Sequence, residues 1–326
     1  MTTEGSDITA ALTRLAKDDV AALLDDIRRD GAQLARRRLT EAYADALVRA
    51  VARLHELAPP PTPTGSVGCY VYAVVAGGGI GAGGVVPGVQ PGGPVEVITV
   101  GDISAVVSEV DVEAMRAGAA AELDEDGWLA AAVRAHERVV LSAFRSAPTV
   151  PMRFGIVHPG RQDVAALLAD HADSFRAELR RVEGRGEWSV KVLADAEVVA
   201  ERVREANGPE QAPPVGDAGR AYLLRERSRR SLVDRSRDFV ASRLDQVAAE
   251  LAAAAQETAV KSVSHDPGDR PVLHAAYLVP RCDEGRFASL VEQLAARGGP
   301  DGFTVELTGP WPPYHFTTLR LEASHD

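Results

Sequence analysis

At 326 residues the chain is long enough for two domains, and 45 % of it is apolar, an ordinary fraction for a globular protein. A formal net charge of −11 argues against a nucleic-acid binder held by phosphate contacts, which would need a surplus of cations. The only cysteines, Cys69 and Cys282, show no metal-ligand spacing and suit a reducing compartment. No apolar run reaches membrane-spanning length, and residues 1–9 lack the basic-then-apolar order of a secretion signal. A soluble cytoplasmic protein is expected.

Residues 8–57 are charged, rich in Ala, Arg and Leu, and helical in period. Leu12, Leu15, Val20, Leu23 and Ile27 mark one helix; Leu39, Tyr43, Leu47, Val51 and Leu54 mark a second, with Gly31 as the break. Each has a single apolar stripe, so residues 1–57 form a helical extension that must pack on something. The proline-rich stretch 58–67 comes next as a semi-rigid linker.

A first α/β domain is expected over 68–184. It opens on a strand at 69–75, Cys-Tyr-Val-Tyr-Ala-Val-Val, rich in β-formers. A Gly/Pro-rich loop at 77–94 reads as a flexible connection. Strands at 95–100 and 103–109 flank Gly101-Asp102, a hairpin signal. A helix at 128–145 carries Leu129, Val133, His136, Val140 and Phe144 on one face. A proline-bounded strand covers 148–155, and one helix over 163–182 turns Val164, Leu168, His171, Phe175 and Leu179 inward.

The second domain, 185–326, is expected to begin with a strand at 188–193 and a short helix at 195–206. After a Pro/Gly loop comes a long helix at 219–258, striped by Leu232, Phe239, Val240, Leu244, Val247 and Leu251. Strands at 259–264 and 272–280, a helix at 283–297 and a strand at 303–307 complete it. The extra short helix aside, this is the β-α-β-β-α-β order of the ferredoxin-like split βαβ pattern. The fold class is α+β, with two α/β domains on antiparallel sheets behind the helical extension.

Past the last strand stands Gly309-Pro310-Trp311-Pro312-Pro313-Tyr314-His315-Phe316. Three prolines in four positions fix φ and remove donors, while Gly309 permits conformations closed to other residues. The segment reads as a rigid corner, with Trp311 and Tyr314 as wedges and a Tyr314, Phe316, Thr318 alternation leading out along a further strand. It can be a structural brace or an aromatic docking point.

Catalytic patterns fail on context. Gly79-Ile80-Gly81-Ala82-Gly83-Gly84 matches a dinucleotide fingerprint, but residues 85–94 are too rich in Gly and Pro to open the helix a pyrophosphate needs. His136, His158 and His171 lack the spacing and carboxylates of a metal site, and core histidines are expected for His136 and His171. Eight arginines between Arg220 and Arg243, interleaved with Glu226, Asp234 and Asp238, read as an ion-paired helix face, or as a surface for an acidic partner. The aromatic signature of an RNA-binding sheet is missing.

Seven short segments, taken in order, carry more. They are Tyr70-Val71-Tyr72-Ala73, Ile103 through Ser108, His136-Glu137-Arg138-Val139, Val150 through Gly155 (VPMRFG), Gly219 through Leu223, Leu278-Val279-Pro280 and Thr308 through Tyr314 (TGPWPPY). Together they resemble the gas vesicle protein F/L family over about residues 70–316. The resemblance implies a non-enzymatic, two-domain α/β accessory protein of gas vesicle assembly, without catalytic residues, cofactor or metal. Its partners would be the small hydrophobic shell subunit and other accessory proteins, with no nucleic acid and no membrane, and it would be vesicle-associated in the cytoplasm. Partner contact is expected at Trp311 and Tyr314 of the corner and at Arg153 and Phe154 of the PMRFG segment. The extension before Ser66 and the enlarged 77–94 loop depart from the family pattern. The competing readings are a nucleotide-dependent enzyme, from the glycine loop alone, and a ferredoxin-like regulatory or RNA-binding module.

Overall fold

The computed structural model describes residues 67–77, 86–90, 93–120, 127–208 and 218–317. The two helices expected within 8–57, nearly all of the linker and the GIGAGG stretch lie outside the described residues. The first half holds β1 (Val67–Ala76), β2 (Glu96–Val100), β3 (Ile103–Asp111), α1 (Val112–Ala120), α2 (Trp128–Ser146), β4 (Thr149–Pro151), β5 (Val157–His158), α3 (Arg161–Asp170) and α4 (Ala172–Val182). Its sheet runs β2-β3-β1-β4, with β5 also pairing β1, and all pairings are antiparallel.

Strand β1 is buried on both faces, which is why it reads as an unbroken apolar run. Cys69, Val71 and Val74 meet Val164, Leu168, Phe175 and Leu179 of α3 and α4. Tyr70, Tyr72 and Val75 face α1 and α2 through Met115, Val133, Val139 and Val140. The change of parity between Val71 and Val74 comes from a bulge between Val71 and Ala73. Helix α1 escapes a periodicity reading because it is short and carries Gly118. A Cβ at Gly118 would stand 2.4 Å from the Trp128 ring, so the glycine lets α1 lie on the start of α2.

Three expectations for this half need correction. The single helix over 163–182 is two, because His171 leaves helical geometry (φ −112°, ψ 19°). The strand over 148–155 ends at Pro151, and a turn takes up residues 154–155. The 77–94 loop is not wholly a free connection: Val89 is buried, its N–H donates to the Tyr72 hydroxyl at 2.9 Å, and Gln90 pairs with the Asp111 backbone.

The second half comprises β6 (Arg185–Ala194), α5 (Ala196–Asn207), α6 (Ala218–Ala254), β7 (Glu257–Val263), β8 (Gly268–Pro280), α7 (Glu284–Gly298) and β9 (Phe303–Trp311). Its antiparallel sheet has the order β7-β8-β6-β9, compatible with the ferredoxin-like arrangement. Helices α5, α6 and α7 share one core with one sheet face, built from Val190, Val192, Tyr277, Val199, Leu251 and Phe287 among others. On the opposite face Phe316 packs on Ala276 and Leu278. Helix α6 stops at Ala254, short of the expected 258. The Gln256 N–H is taken by the Leu278 carbonyl, and Glu257 already pairs with Leu278 in β7.

Arginines on α6 form the expected ion pairs. Arg229 and Arg230 share Glu226, Arg237 holds Asp266, and Arg243 reaches Asp301. Pairs at a solvated surface contribute little each, because water and salt screen them.

Candidate functional site

The corner after β9 joins the two halves. Strand β9 extends through Trp311, four residues past its expected end. Gly309 takes φ +143°, and a Cβ there would meet the Glu187 carbonyl oxygen at 2.8 Å and the Trp188 ring at 3.1 Å. Glycine is the residue that fits. No further strand appears through residue 317. The chain turns instead, with Tyr314 N–H donating to Pro312 O (2.8 Å) and Phe316 N–H to Pro313 O (3.2 Å). The expected exit along Tyr314, Phe316 and Thr318 is thus replaced by a turn up to residue 317, since Pro312 and Pro313 offer no N–H to a ladder.

That turn sends side chains in different directions. Phe316 is buried on the second sheet. His315 clamps the buried Glu187 of β6: its backbone N–H donates to one carboxylate oxygen at 2.9 Å, and Nδ1 lies 2.6 Å from the other. Tyr314 crosses to the first half and packs on the core of Tyr70, Tyr72, Val139 and Phe154. Trp311 stays at the surface, 36 % exposed, with Nε1 3.4 Å from Thr308 Oγ1. The wedges are therefore Tyr314 and Phe316, and Trp311 is not one.

A directed hydrogen-bond chain runs through this joint. Gly155 N–H donates to the Tyr70 hydroxyl (3.0 Å), leaving the Tyr70 O–H to donate to His136 Nδ1 (2.9 Å). The proton of neutral His136 then sits on Nε2, which faces the Tyr314 hydroxyl at 3.5 Å. Tyr314 O–H donates to Glu137 Oε1 at 3.1 Å. Around the imidazole, Tyr72 stacks and Phe154 meets it edge-on, both with centroids 5.7 Å away. Alongside, Arg281 donates to the Phe144 carbonyl (2.9 Å) and lies over the Phe144 ring at 5.1 Å.

Burial sets the electrostatics. It pulls His136 down to about 3, so the ring is neutral. It pushes the Glu137 carboxyl up to about 7; the Tyr314 hydrogen bond works against this, and the negative charge of Glu187 adds to it. The Tyr70 hydroxyl is held well above its usual range, again by burial. These groups are enclosed and mutually satisfied, which is the chemistry of a joint. Tyr314→Phe, which deletes the donor to Glu137 and the hydroxyl that faces His136 Nε2, is expected to lower stability by about 1 kcal/mol in urea denaturation; an unchanged midpoint would mean that this hydroxyl contributes nothing.

Six of the seven segments singled out in the sequence meet here or in the strands that frame it. Tyr70, Ser108 (bonded to Tyr72 at 2.8 Å), His136 with Glu137, Phe154 with Gly155, Pro280 opposite Arg185, and Tyr314 all take part. The seventh lies elsewhere, on the first turns of α6, where Tyr222 and Leu223 are 65 % and 68 % exposed. Of the four expected partner residues, Trp311 and Arg153 are exposed, Phe154 is buried and Tyr314 is half-buried. Sequence pattern does not single out Glu187, His315 or Phe316 as members of the joint. In β6 Glu187 stands among Arg185, Ser189 and Lys191, so residue type alone gives no signal for it. Among the described residues no group of three or more His, Cys, Asp or Glu could hold a metal ion, and no helix is long and apolar enough to cross a membrane.

Fold and site define a two-sheet α+β protein whose most unusual residues build a joint between its sheets. Residues 68–318 match the family described as gas vesicle synthesis protein GvpL/GvpF. Gas vesicle protein L of Streptomyces sp. (strain CB03234) is 33 % identical over 244 residues, covering 72 % of this chain and 87 % of that protein. Gas vesicle protein F of the same strain is 25 % identical over 240 residues, covering 70 % and 89 %. The crystal structure of GvpF from Anabaena sp. PCC7120 has a similar fold, with a TM-score of 0.59 at 18 % identity, covering 80 % of this chain and all of that one. The chain belongs to the GvpL/GvpF family, and membership implies a role in gas vesicle formation.

Proposed function

We propose that this protein is a non-enzymatic accessory protein of gas vesicle assembly, working in the cytoplasm and at the vesicle, that binds the small hydrophobic shell subunit and other accessory proteins. The observation that carries this reading is what the motif residues do. They are spent on an enclosed, hydrogen-bonded joint, and the corner that locks it leaves Trp311 at the surface. A shell subunit must be apolar before assembly, and a large exposed aromatic on a rigid corner is the kind of anchor that holds such a partner. Exposed Tyr222 and Leu223 at the start of α6 offer a second apolar point.

Trp311→Ala is the discriminating variant, because it leaves Tyr314, Phe316 and the joint in place. It is expected to lower co-purification of the shell subunit at least about tenfold, the usual effect of losing a tryptophan hot spot. Undiminished capture by the folded variant would return Trp311 to a bracing role. Deleting the gene in a vesicle-forming host should abolish pressure-collapsible light scattering, and normal vesicles would contradict the assembly role itself.

A further inference from the structure

The face of the second sheet turned away from α5, α6 and α7 carries a polar row across all four strands. In register, Ser262 of β7 stands opposite His274 of β8, His274 opposite Lys191 of β6, and Lys191 opposite Glu306 of β9. Lys261 comes in at the β7 bulge between Val260 and Ser262. Buried Ser189 places its hydroxyl 3.1 Å from His274 Nε2. The outward face of an antiparallel sheet is ordinarily polar, and what marks this row is the sign of its charges. Here two ammonium groups flank an imidazole, and among the described residues no carboxylate lies within 4 Å of either ammonium. Glu187 attracts Lys261 but is occupied by His315, and Glu306 closes the row on the far strand.

We propose that this row is an oxyanion site: a carboxylate group seats between Lys191 and Lys261, with His274 and Ser262 as further donors. The arrangement of like charges supports this. Burial and the positive charges of Lys261, Lys191 and His315 together push His274 down to about 4, and burial also lowers Lys261. Holding like charges together in a half-buried place is unfavourable, and a bound anion reverses the sign of that interaction. The carboxylate can be that of a free small acid or that of an acidic side chain on a polypeptide; the site chemistry is the same. This inference does not depend on the role of Trp311.

The test follows the His274 ring signals by NMR in the full chain, identified by their loss in His274→Gln, while succinate or a tetraglutamate peptide is added at constant ionic strength. A saturable upward shift of the His274 titration by at least about one pH unit is expected, with dissociation constants near the millimolar range. Tighter binding of the peptide than of succinate identifies a polypeptide source; equal or weaker binding identifies a free acid. Lys191→Met/Lys261→Met, and Lys261→Gln as the milder variant, should weaken binding about tenfold or more. No saturable shift with either probe, or an equal shift in folded lysine variants, overturns the proposal.

Discussion

Gly309→Ala is expected to destabilise the protein by about 2–4 kcal/mol. Two costs combine. At φ +143° an L-residue side chain is strained wherever it stands. The added methyl would also lie 2.8 Å from a backbone oxygen, that of Glu187, which cannot rotate away as a side chain would. Relief requires β9 to move off β6, and that strand edge carries the turn from which Tyr314 and His315 reach their partners. Urea denaturation of the variant should give a lower midpoint together with loss of protection of the His315 amide in hydrogen exchange. A variant with unaltered midpoint and protection would show that the corner tolerates other conformations and does not hold the joint.

The second large effect is electrostatic and depends on pH. Glu137 has a folded-state value near 7 against an ordinary value of 4.5, so the folded protein holds this proton more tightly than the unfolded chain. Its contribution is fully present below about 4.5 and is lost as pH rises through 7. Glu137→Gln keeps an acceptor for the Tyr314 hydroxyl and removes the charge. At pH 8 the variant should be more stable than the parent by about 1–3 kcal/mol, and the gain should vanish below pH 4.5. His136 has the opposite sign. Its folded value near 3 lies below the ordinary 6.5, so its stabilisation is present above 6.5 and lost as pH falls toward 3. His274, depressed to about 4, acts in the same direction. In the parent, Glu137 offsets part of that acid loss between pH 7 and 4.5. The variant should therefore begin to lose stability at a higher pH. Parallel stability curves for the two proteins from pH 4 to 8 would show that Glu137 is not under this strain.

Much of the architecture could be read from local pattern. The hairpin at Gly101-Asp102, the striped helices around Val140 and Leu244, and the β-α-β-β-α-β order of the second half all rest on short-range periodicity and turn chemistry. Where pattern misled, the cause was tertiary. Helix α1 is too short for a stripe beyond Val112 and Met115, and its fit against α2 depends on Gly118 admitting Trp128. The break at His171 leaves the inward stripe from Leu168 to Phe175 in place, so periodicity passes over it. At 312–317 an alternation of aromatics has the look of a strand, and the described residues form a turn because consecutive prolines supply no ladder donors.

Residue type and spacing were enough for the class of the fold, the identity of the unusual segments and their order along the chain. What those segments are for in physical terms was settled by packing. Tyr70, His136, Gly155 and Tyr314 are separated by up to 244 positions in sequence, and their hydrogen bonds exist because two sheets bring them to one buried place. Which aromatic of the corner turns inward was likewise set by packing: Tyr314 finds a carboxylate across the joint and Phe316 a bare patch of sheet, while Trp311 stays at the surface beside Thr308. Local pattern carries no information about such choices, since the partner that decides each one lies on a distant stretch of chain.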